Sequence, residues 1–309
     1  MEVLVRTKNL SREEWLKYRT QGIGGSDVAV IAGINPFKSI YQLWREKTGQ
    51  IEAEQTENEY AHFGTMLEPI VKKEFMQRTG LKVRAKRALL QSSEYPFMIA
   101  DLDGTINDNG EMCIFEAKTA SAYKQSVWEE GVPVEYVLQV QHYMAVTGAR
   151  KAYVAVLVGG NHFYYHEVMR NDEMIEKIIV MEKYFWEQCV LAGKEPIPDG
   201  SSATTTYFDN RYSETNGETI QLPEEVIPIC KQYDELSKQL EELKVAREAV
   251  SNQLKSYLKE CEIGTVGEWK VTWKQVNRTF FDQKRFKAEQ PEIYETYITQ
   301  SKYRKLSVA

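Results

Sequence analysis

The chain has 309 residues, of which 42% are hydrophobic, and a formal net charge of -6. This length fits one large domain or one domain with an appendage, and the hydrophobic content is sufficient for a buried core. The acidic balance argues against a protein that coats nucleic acid through its bulk charge, although an enzyme needs only a local basic groove. No apolar run approaches the roughly 18 residues of a membrane span and no signal-peptide profile opens the chain, so we expect a cytoplasmic protein without membrane contact.

The N-terminal part of the chain predicts a helix followed by a glycine-rich turn. Ser11 and Glu14 have the spacing of a capping box, in which each side chain accepts from the other residue's backbone N–H. Residues 22–33 (GIGGSDVAVIAG) are typical of a loop that runs into a second helix at Ser26. The free N–H groups at such a start attract an anion, and a plain helix cap is the alternative interpretation.

Two further helices and a basic segment follow. One helix begins at about Ser39 and ends at Gly49, and a longer helix that contains Glu68 ends at Gly80. Residues 72–87 contain seven lysines or arginines and a single acid. Such a run is usually a solvated surface, but it directly precedes a group of acids and could hold a phosphate backbone.

Residues 96–118 (PFMIADLDGTINDNGEMCIFEAK) predict a β-hairpin. Both flanks are apolar, and Asn109-Gly110 supplies the positive-φ positions that a two-residue turn requires. Counting outward from this turn places Asp103 opposite Glu116. Directly opposed residues have Cβ atoms roughly 5 Å apart, and like charges there are destabilising unless a cation neutralises them. A one-residue shift of the turn would separate the two acids.

Lys118 joins the acid pair because residues two apart on a strand point to the same face. The same register predicts Asp101 opposite Lys118. Two carboxylates and a lysine suit hydrolysis of a phosphodiester, in which the acids hold Mg²⁺ and the ammonium helps to position and deprotonate water. The carbonyl of Ala117 could complete the oxygen ligands that Mg²⁺ prefers.

The acid-x-Lys tripeptide alone is weak support for this site. What distinguishes Glu116 and Lys118 is the acid on the opposing strand and an apolar strand that should not carry charge at low cost. The same tripeptide pattern occurs at Glu242/Lys244, Glu268/Lys270 and Asp282/Lys284.

The segments after the hairpin predict a mixed α/β fold, with helices flanking a central sheet. Helical and strand periodicities alternate up to the two prolines at positions 196 and 198. The expected elements are a helix over 134–147, a strand over 151–160, a turn at 160–161, a strand over 162–168 and a helix over 172–192.

The C-terminal third has a different composition. Residues 201–222 are polar and predict a linker. Residues 223–309 then predict a long helix and a small pair of strands. The helix carries apolar residues at alternating steps of four and three, interrupted at Arg247, which is a heptad pattern. Self-association, a helical hairpin within the chain and packing on the first domain are all consistent with that pattern.

Taken together, these motifs resemble the YqaJ-like viral recombinase family, in the phage lambda exonuclease branch of the PD-(D/E)XK nucleases. The resemblance covers residues from about 11 to 198 and rests on five motifs in the order that the family shows. They are Trp15 with Arg19 and Gly24-Gly25-Ser26-Asp27, Phe63-Gly64 through Leu67-Glu68-Pro69, Leu102-Asp103-Gly104, Glu116-Ala117-Lys118, and Tyr136 through Gln139-Val140-Gln141-His142-Tyr143-Met144.

The resemblance implies a restriction-endonuclease-like PD-(D/E)XK domain over residues 1–200, with the C-terminal helix and strands as an appendage. It implies that Asp103, Glu116 and the Ala117 carbonyl bind Mg²⁺, for which Mn²⁺ should substitute. Lys118 would activate water. Glu68 would be a further acid near a second metal ion.

The resemblance also implies the activity and its partners. It predicts an exodeoxyribonuclease that digests the 5′-ended strand of linear duplex DNA and leaves a 3′ overhang for a single-strand annealing protein of phage-type recombination. Related enzymes imply a homo-oligomer, a ring-shaped trimer, in a bacterial host. Other site residues follow by position: Gln139 or Gln141 would orient the site, and Arg19, Ser26 and Lys124 would bind the 5′-terminal phosphate.

Two other functions remain open from the sequence. One is a restriction-like or structure-specific endonuclease of the same fold. The other is a non-catalytic protein that binds DNA ends. The chain also departs from its relatives at Asp101, where a carboxylate would repel a terminal phosphate unless it pairs with Lys118 or contacts a metal ion.

Overall fold

The structure is a computed structural model that describes residues 1–51, 59–299 and 301–308. The chain divides into two units, Met1–Arg211 and Tyr212–Ala309. Within the described residues, no helix combines the length and the apolar character needed to cross a membrane.

The first unit alternates between helices and strands. Its helices are α1 (Arg12–Arg19), α2 (Gly25–Ile31), α3 (Ile40–Lys47), α4 (Glu59–Thr79), α5 (Gln125–Glu130), α6 (Val134–Thr147), α7 (Asp172–Tyr184) and α8 (Ser202–Arg211). Its strands are β1 (Glu2–Arg6), β2 (Ile23–Gly24), β3 (Val83–Arg84), β4 (Ala88–Gln91), β5 (Met98–Asp101), β6 (Gly104–Asp108), β7 (Glu111–Ala120), β8 (Lys151–Val158) and β9 (His162–Met169). The capping box of Ser11 and Glu14 begins α1 as predicted.

The strands form two mixed sheets. The larger sheet has the order β3-β6-β7-β8-β9, and its central pair, β7 and β8, is parallel. The smaller sheet has the order β1-β4-β5-β2, and β2 and β5 are parallel. The predicted α/β class is confirmed, but the sequence analysis did not resolve the second sheet or β1.

The predicted turn at Asn109-Gly110 is present. Both residues have positive φ, 51° and 90°, and the ladder between β6 and β7 runs from Asp108 opposite Glu111 outward. Asparagine and glycine reach this region of backbone conformation at lower cost than other residues, which is why the turn forms here. The register of the hairpin is therefore the one that the sequence predicts.

Two helices cover opposite faces of the larger sheet. Phe75 of α4 packs with Phe115 of β7 at a ring-centroid distance of 5.0 Å, in a cluster of buried side chains. On the other face, Ile114 of β7 belongs to the cluster that contains Val140 of α6. Because neighbouring residues of β7 point to opposite faces, the strand is buried between the two helices.

The boundary between the units differs from the prediction. Residues 202–211 form α8, whose side chains of Ala203 and Thr204 are buried. Tyr207 of α8 stacks on Tyr41 of α3 at 5.5 Å. The predicted polar linker over 201–222 is therefore wrong in its first half. Aromatic side chains on one face of this polar segment pack against Tyr41 of α3.

The second unit begins after α8. It contains α9 (Ile227–Leu258), β10 (Ile263–Val266), β11 (Trp269–Thr272), α10 (Gln283–Glu289) and α11 (Pro291–Tyr297), and the two strands form an antiparallel pair. The predicted long helix is thus one continuous element of 32 residues. Most apolar side chains of its heptad pattern are exposed to solvent: Ile229, Tyr233, Leu236, Leu240, Leu243, Val250, Leu254 and Tyr257.

Candidate active site

Asp103 lies in the two-residue link between β5 and β6, where the chain leaves one sheet and enters the other. Its Oδ2 atom accepts a hydrogen bond of 2.8 Å from the N–H of Ala117 in β7. The ladder of β6 and β7 ends at Gly104 opposite Phe115, so Asp103 is the next residue outward, beside Glu116. The hairpin therefore brings these two carboxylates together.

Asp101 does not lie opposite Lys118. It is the last residue of β5, and its Oδ2 atom accepts a 2.8 Å hydrogen bond from the indole N–H of Trp15. The predicted pairing of Asp101 with Lys118 is wrong, because the chain changes sheet after Asp101 and the register of the hairpin does not extend that far. Burial raises the pKa of the Asp101 carboxyl.

Glu116 is the centre of a buried hydrogen-bond network. Its Oε1 atom accepts from Lys118 Nζ at 2.6 Å and from Gln139 Nε2 at 2.6 Å. Lys118 Nζ also donates to Gln139 Oε1 at 3.0 Å, and Gln139 Nε2 donates to the hydroxyl of Tyr143 at 3.1 Å. Gln139 of α6 thus holds the acid and the lysine of β7 in one geometry.

The site carries more negative charge than its surroundings balance. Burial, and then the Glu116 carboxylate, raise the pKa of Asp103 well above its ordinary range. Burial also raises the pKa of Glu116, although Lys118 acts in the opposite direction. Burial by itself lowers the pKa of Lys118, but the two carboxylates outweigh it, so the pKa is raised overall and the lysine stays protonated.

Oxygen atoms of Asp103, Glu116 and Ala117 are the best placed to bind a divalent cation. Glu116 Oε2 is buried and has no hydrogen-bond donor within the described part of the chain. The N–H of Ala117 points to Asp103, and in a strand the carbonyl of the same residue points to the same side. This carbonyl is not used by the ladder of β6 and β7, which ends at Gly104 opposite Phe115. Oxygen ligands of this kind fit Mg²⁺ or Mn²⁺.

The backbone carbonyl of Ala117 matters here because few acidic side chains gather at one point. Among the residues that the structure describes, no three His, Cys, Asp or Glu side chains gather into a group that could hold a metal ion. Glu68 of α4 is the third predicted acid. Its Oε1 atom forms an ion pair with Lys72 Nζ at 3.1 Å. Lys72 Nζ also donates to the backbone carbonyl of Asp103 at 2.8 Å.

Two cavities meet at these acids. One of about 380 Å³ contains Arg19, Ser26 and Lys72 in its walls, and one of about 300 Å³ contains Lys118. Both are lined by Glu68, Asp103 and Glu116. The acids therefore lie between a basic pocket on one side and the lysine of β7 on the other.

The basic pocket is built on a second ionic network. Asp27 of α2 accepts from Arg19 Nη1 at 3.1 Å, from Lys47 Nζ at 2.9 Å and from the backbone N–H of Gly24 at 2.9 Å. Arg19 Nη2 donates to Ser26 Oγ at 3.0 Å. The predicted pair of Arg19 and Ser26 is therefore joined directly, with one guanidinium held by a buried carboxylate.

Two glycines allow this close packing. A Cβ atom on Gly24 would lie 1.9 Å from Arg19 Nη1, and one on Gly25 would lie 2.6 Å from the ring of Tyr143. Because real Cβ atoms do not approach neighbours so closely, any larger residue would displace Arg19 or Tyr143. The Gly24-Gly25 pair thus allows Arg19 and the Gln139 network to occupy adjacent positions.

Sequence comparison identifies the family. The model of the YqaJ-like viral recombinase domain matches residues 14–150. Over 311 aligned residues the chain is 42% identical to the uncharacterized protein YqaJ of Bacillus subtilis (strain 168), and the alignment covers 99% of this chain and 97% of that protein. The chain belongs to the YqaJ-like viral recombinase family.

Solved structures share the fold of the first unit. The alkaline exonuclease LHK-Exo from Laribacter hongkongensis superposes with a TM-score of 0.51 at 22% sequence identity, over 59% of this chain and 94% of that chain. The structure of LHK-Exo in complex with dAMP gives the same values. The first unit therefore shares the fold of LHK-Exo, in agreement with the predicted fold class.

Within this fold, the structure separates the two glutamines that the sequence left as alternatives. Gln139 contacts Glu116 and Lys118, whereas Gln141 bonds to the backbone of Met169 at 2.8 Å and of Asn171 at 3.0 Å. The two residues are two positions apart on α6 and therefore point to different sides of the helix. Of the two alternatives, Gln139 lies at the candidate site, whereas Gln141 joins α6 to the end of β9.

Lys124 is also distant from its predicted role. It is exposed in the short 3₁₀ turn Ala122–Lys124 that follows β7, and it does not line the pocket of Arg19 and Ser26. The turn carries it away from the acids because β7 ends at Ala120. The structure therefore gives no support to Lys124 as a phosphate ligand.

Sequence reasoning missed three residues of the site. Lys72 was noted only as part of a basic segment, although its spacing of four from Glu68 on a helix is a recognisable signal. Tyr143 has the same signal, because it lies four positions after its partner Gln139 on α6. Lys47 had none, since its partner Asp27 lies on another helix. Lys47 is nearly enclosed, and burial lowers its pKa to about 8.

Proposed function

We propose that the protein is a Mg²⁺-dependent 5′-to-3′ exodeoxyribonuclease that digests the 5′-ended strand of linear duplex DNA. The observation that carries this proposal is one cleft in which Asp103, Glu116 and Lys118 adjoin the pocket of Arg19 and Ser26. Membership of a viral recombinase family and a fold shared with an alkaline exonuclease support it.

Asp103, Glu116 and the Ala117 carbonyl would hold Mg²⁺, with Mn²⁺ as a substitute. When bound, such an ion polarises the phosphate and lowers the pKa of a water molecule. The unpaired Oε2 atom of Glu116 and the raised pKa of Asp103 are the properties of a site that lacks positive charge. A divalent ion would supply that charge.

Lys118 acts as a hydrogen-bond donor in this proposal. An ammonium has three N–H groups, and Glu116 and Gln139 accept two of them. The third can donate to the attacking water or to a phosphate oxygen. Because the pKa of Lys118 is raised, the charged form that orients water is favoured over a neutral base.

Arg19 and Ser26 would determine the direction of digestion. The Arg19 guanidinium is fixed by Asp27, and its Nη2 group reaches Ser26, so both polar side chains face one cavity. A guanidinium suits phosphate because it offers several parallel N–H donors. A terminal 5′-phosphate held here would place the adjoining phosphodiester toward the acids.

The products and partners follow from this direction. Removal of the 5′-ended strand leaves a 3′ single strand, the substrate for a single-strand annealing protein in phage-type recombination inside a bacterial cell. The exposed heptad residues of α9 support a homo-oligomer, and a trimer is the number that related enzymes imply. Sedimentation of the full-length chain would measure that number.

Three DNA substrates test the activity. Linear duplex with labelled 5′-phosphate ends, closed circles and nicked circles are incubated with the protein in Mg²⁺ or in EDTA. The expected result is Mg²⁺-dependent loss of linear duplex from its 5′ ends, with closed circles intact. Cutting of closed circles would instead identify an endonuclease, and binding without products would identify an end-binding protein.

Replacing Lys118 by alanine should reduce the cleavage rate by about 10³-fold, because the site loses the donor that positions water. End binding in EDTA should change little. Lys270→Ala is the matched control, since Lys270 has the same acid-x-Lys pattern on an exposed strand of the second unit. An active Lys118→Ala enzyme would contradict the role given to Lys118.

A further inference from the structure

Lys72 has an unusual position for a lysine on a helix surface. Its Nζ atom lies 3.1 Å from Glu68 Oε1, one turn earlier on α4, and 2.8 Å from the carbonyl oxygen of Asp103. The Lys72 side chain is 18% exposed and that of Glu68 is 33% exposed. One ammonium therefore joins the helix acid to the backbone of the segment that carries the first catalytic acid.

A second ion pair on the same helix shows that this arrangement is specific. Arg78 and Glu74 also have a spacing of four, with a contact of 2.7 Å, but their side chains are more exposed, at 50% and 37%. Exposed pairs of this kind contribute little. The pair of Glu68 and Lys72 instead faces the cleft that contains Asp103 and Glu116.

The acids of the cleft thus have separate cationic partners. Glu116 is paired with Lys118, and Glu68 is paired with Lys72. Asp103 is left with the N–H of Ala117 as its hydrogen-bond donor. Lys118 contacts only the Oε1 atom of Glu116 and leaves Oε2 unpaired. Lys72 Nζ instead lies between Glu68 Oε1 and the Asp103 carbonyl, so its charge would repel a second cation in the space between those two residues.

We propose that Lys72 is a positioning residue that occupies the cation-binding side of Glu68, so that the DNA-free protein binds one divalent ion. That ion lies at Asp103 and Glu116, and no second ion binds at Glu68 while Lys72 is in place. This inference rests on the proposed metal-dependent nuclease function. It explains why Glu68 lies beside the two acids without forming a three-acid group.

Mn²⁺ binding to the full-length protein without DNA tests this inference. Electron paramagnetic resonance of free Mn²⁺ gives the number of bound ions and their affinity. The wild-type protein should bind one ion. Lys72→Met should bind two, with the second ion at least about tenfold tighter than any second ion in the wild type, because a repelling charge is removed.

Lys73→Met is the matched control, since Lys73 is the exposed neighbour on α4 and should behave like the wild type. Lys72→Arg keeps the charge and should also bind one ion. Glu68→Gln in the wild-type background should retain the single ion. If Lys72→Met fails to fold by circular dichroism, Lys72→Gln replaces it as the variant that removes the charge, and it should likewise bind two ions.

The failures of the two proposals differ. A wild-type protein that binds no Mn²⁺ would contradict the metal-dependent function itself. A wild-type protein that binds Mn²⁺, together with a Lys72→Met protein of the same stoichiometry and affinity, would overturn only the role of Lys72. Loss of the wild-type ion in Glu68→Gln would also overturn it, because Glu68 would then be a ligand.

Discussion

The Asp27 cluster and the Asp103 cluster, both buried in the first unit, differ in how well their charges are balanced. The carboxylate of Asp27 accepts from Arg19, Lys47 and the Gly24 N–H, and these cations lower its pKa below the ordinary range despite burial. The carboxylate of Asp103 has a neighbouring acid instead, and its pKa is raised.

This difference separates a supporting cluster from a ligand-binding one. A buried charge with a full set of partners holds neighbouring side chains in place, as Asp27 does for Arg19. The free-energy cost of a buried acid without a balancing charge is offset by the other interactions of the fold. A bound cation would remove that cost. Replacing each aspartate by asparagine should therefore have opposite effects on stability.

Asp27→Asn should lower the free energy of unfolding by about 3–5 kcal/mol, because it leaves Arg19 and Lys47 buried without a counter-charge. Urea denaturation measures the change. Asp172→Asn is the control, since Asp172 is largely exposed in its pair with Arg170 and should change stability by less than about 0.5 kcal/mol. If Asp27→Asn lowers the free energy of unfolding no more than Asp172→Asn does, the ion pairs of Asp27 do not hold Arg19 and Lys47 in place.

Asp103→Asn should raise the free energy of unfolding in EDTA by about 1–2 kcal/mol, because it removes a charge that the metal-free site does not balance. The amide oxygen of asparagine can still accept from Ala117. Urea denaturation with and without Mn²⁺ makes the comparison. The gain should disappear in Mn²⁺, which stabilises only the wild type. A destabilised variant in EDTA would contradict the contrast drawn between the two clusters.

The unbalanced cluster should contribute to the pH dependence of stability, beside the raised pKa values of His142, Glu182 and Asp101. A carboxyl whose pKa is raised on folding binds more protons when folded, so stability falls as pH rises from the ordinary carboxyl range toward the raised pKa of Asp103 and Glu116. The slope is at most about 1.4 kcal/mol per pH unit per proton. Asp27 contributes no slope here, because its lowered pKa affects only more acidic solutions.

Thermal melts in EDTA between pH 5 and about pH 7 check this prediction. The pKa of about 8 for Lys47 lies above that window, so its titration does not interfere. The wild type should lose stability toward pH 7. The decline should be shallower in Asp103→Asn. An equal decline in both proteins would assign the pH dependence to other groups.

The sequence predicted the hairpin well because local chemistry determines it. Asn109 and Gly110 fix the turn, the alternation of β7 fixes its faces, and the register then brings Asp103 and Glu116 together. It failed at Asp101, because the exchange of the chain between two sheets leaves no local signal. It failed for residues 201–211 because their polar composition hides the aromatic contact with α3.

The sequence by itself therefore determined the family, the α/β class and the pairing of Asp103 with Glu116 and Lys118, since these depend on short-range patterns. Only the tertiary structure chose Gln139 over Gln141 and placed Lys72 between Glu68 and Asp103. Such contacts depend on the angles at which helices cross the sheet. Those angles come from packing over the whole core, which no local motif encodes.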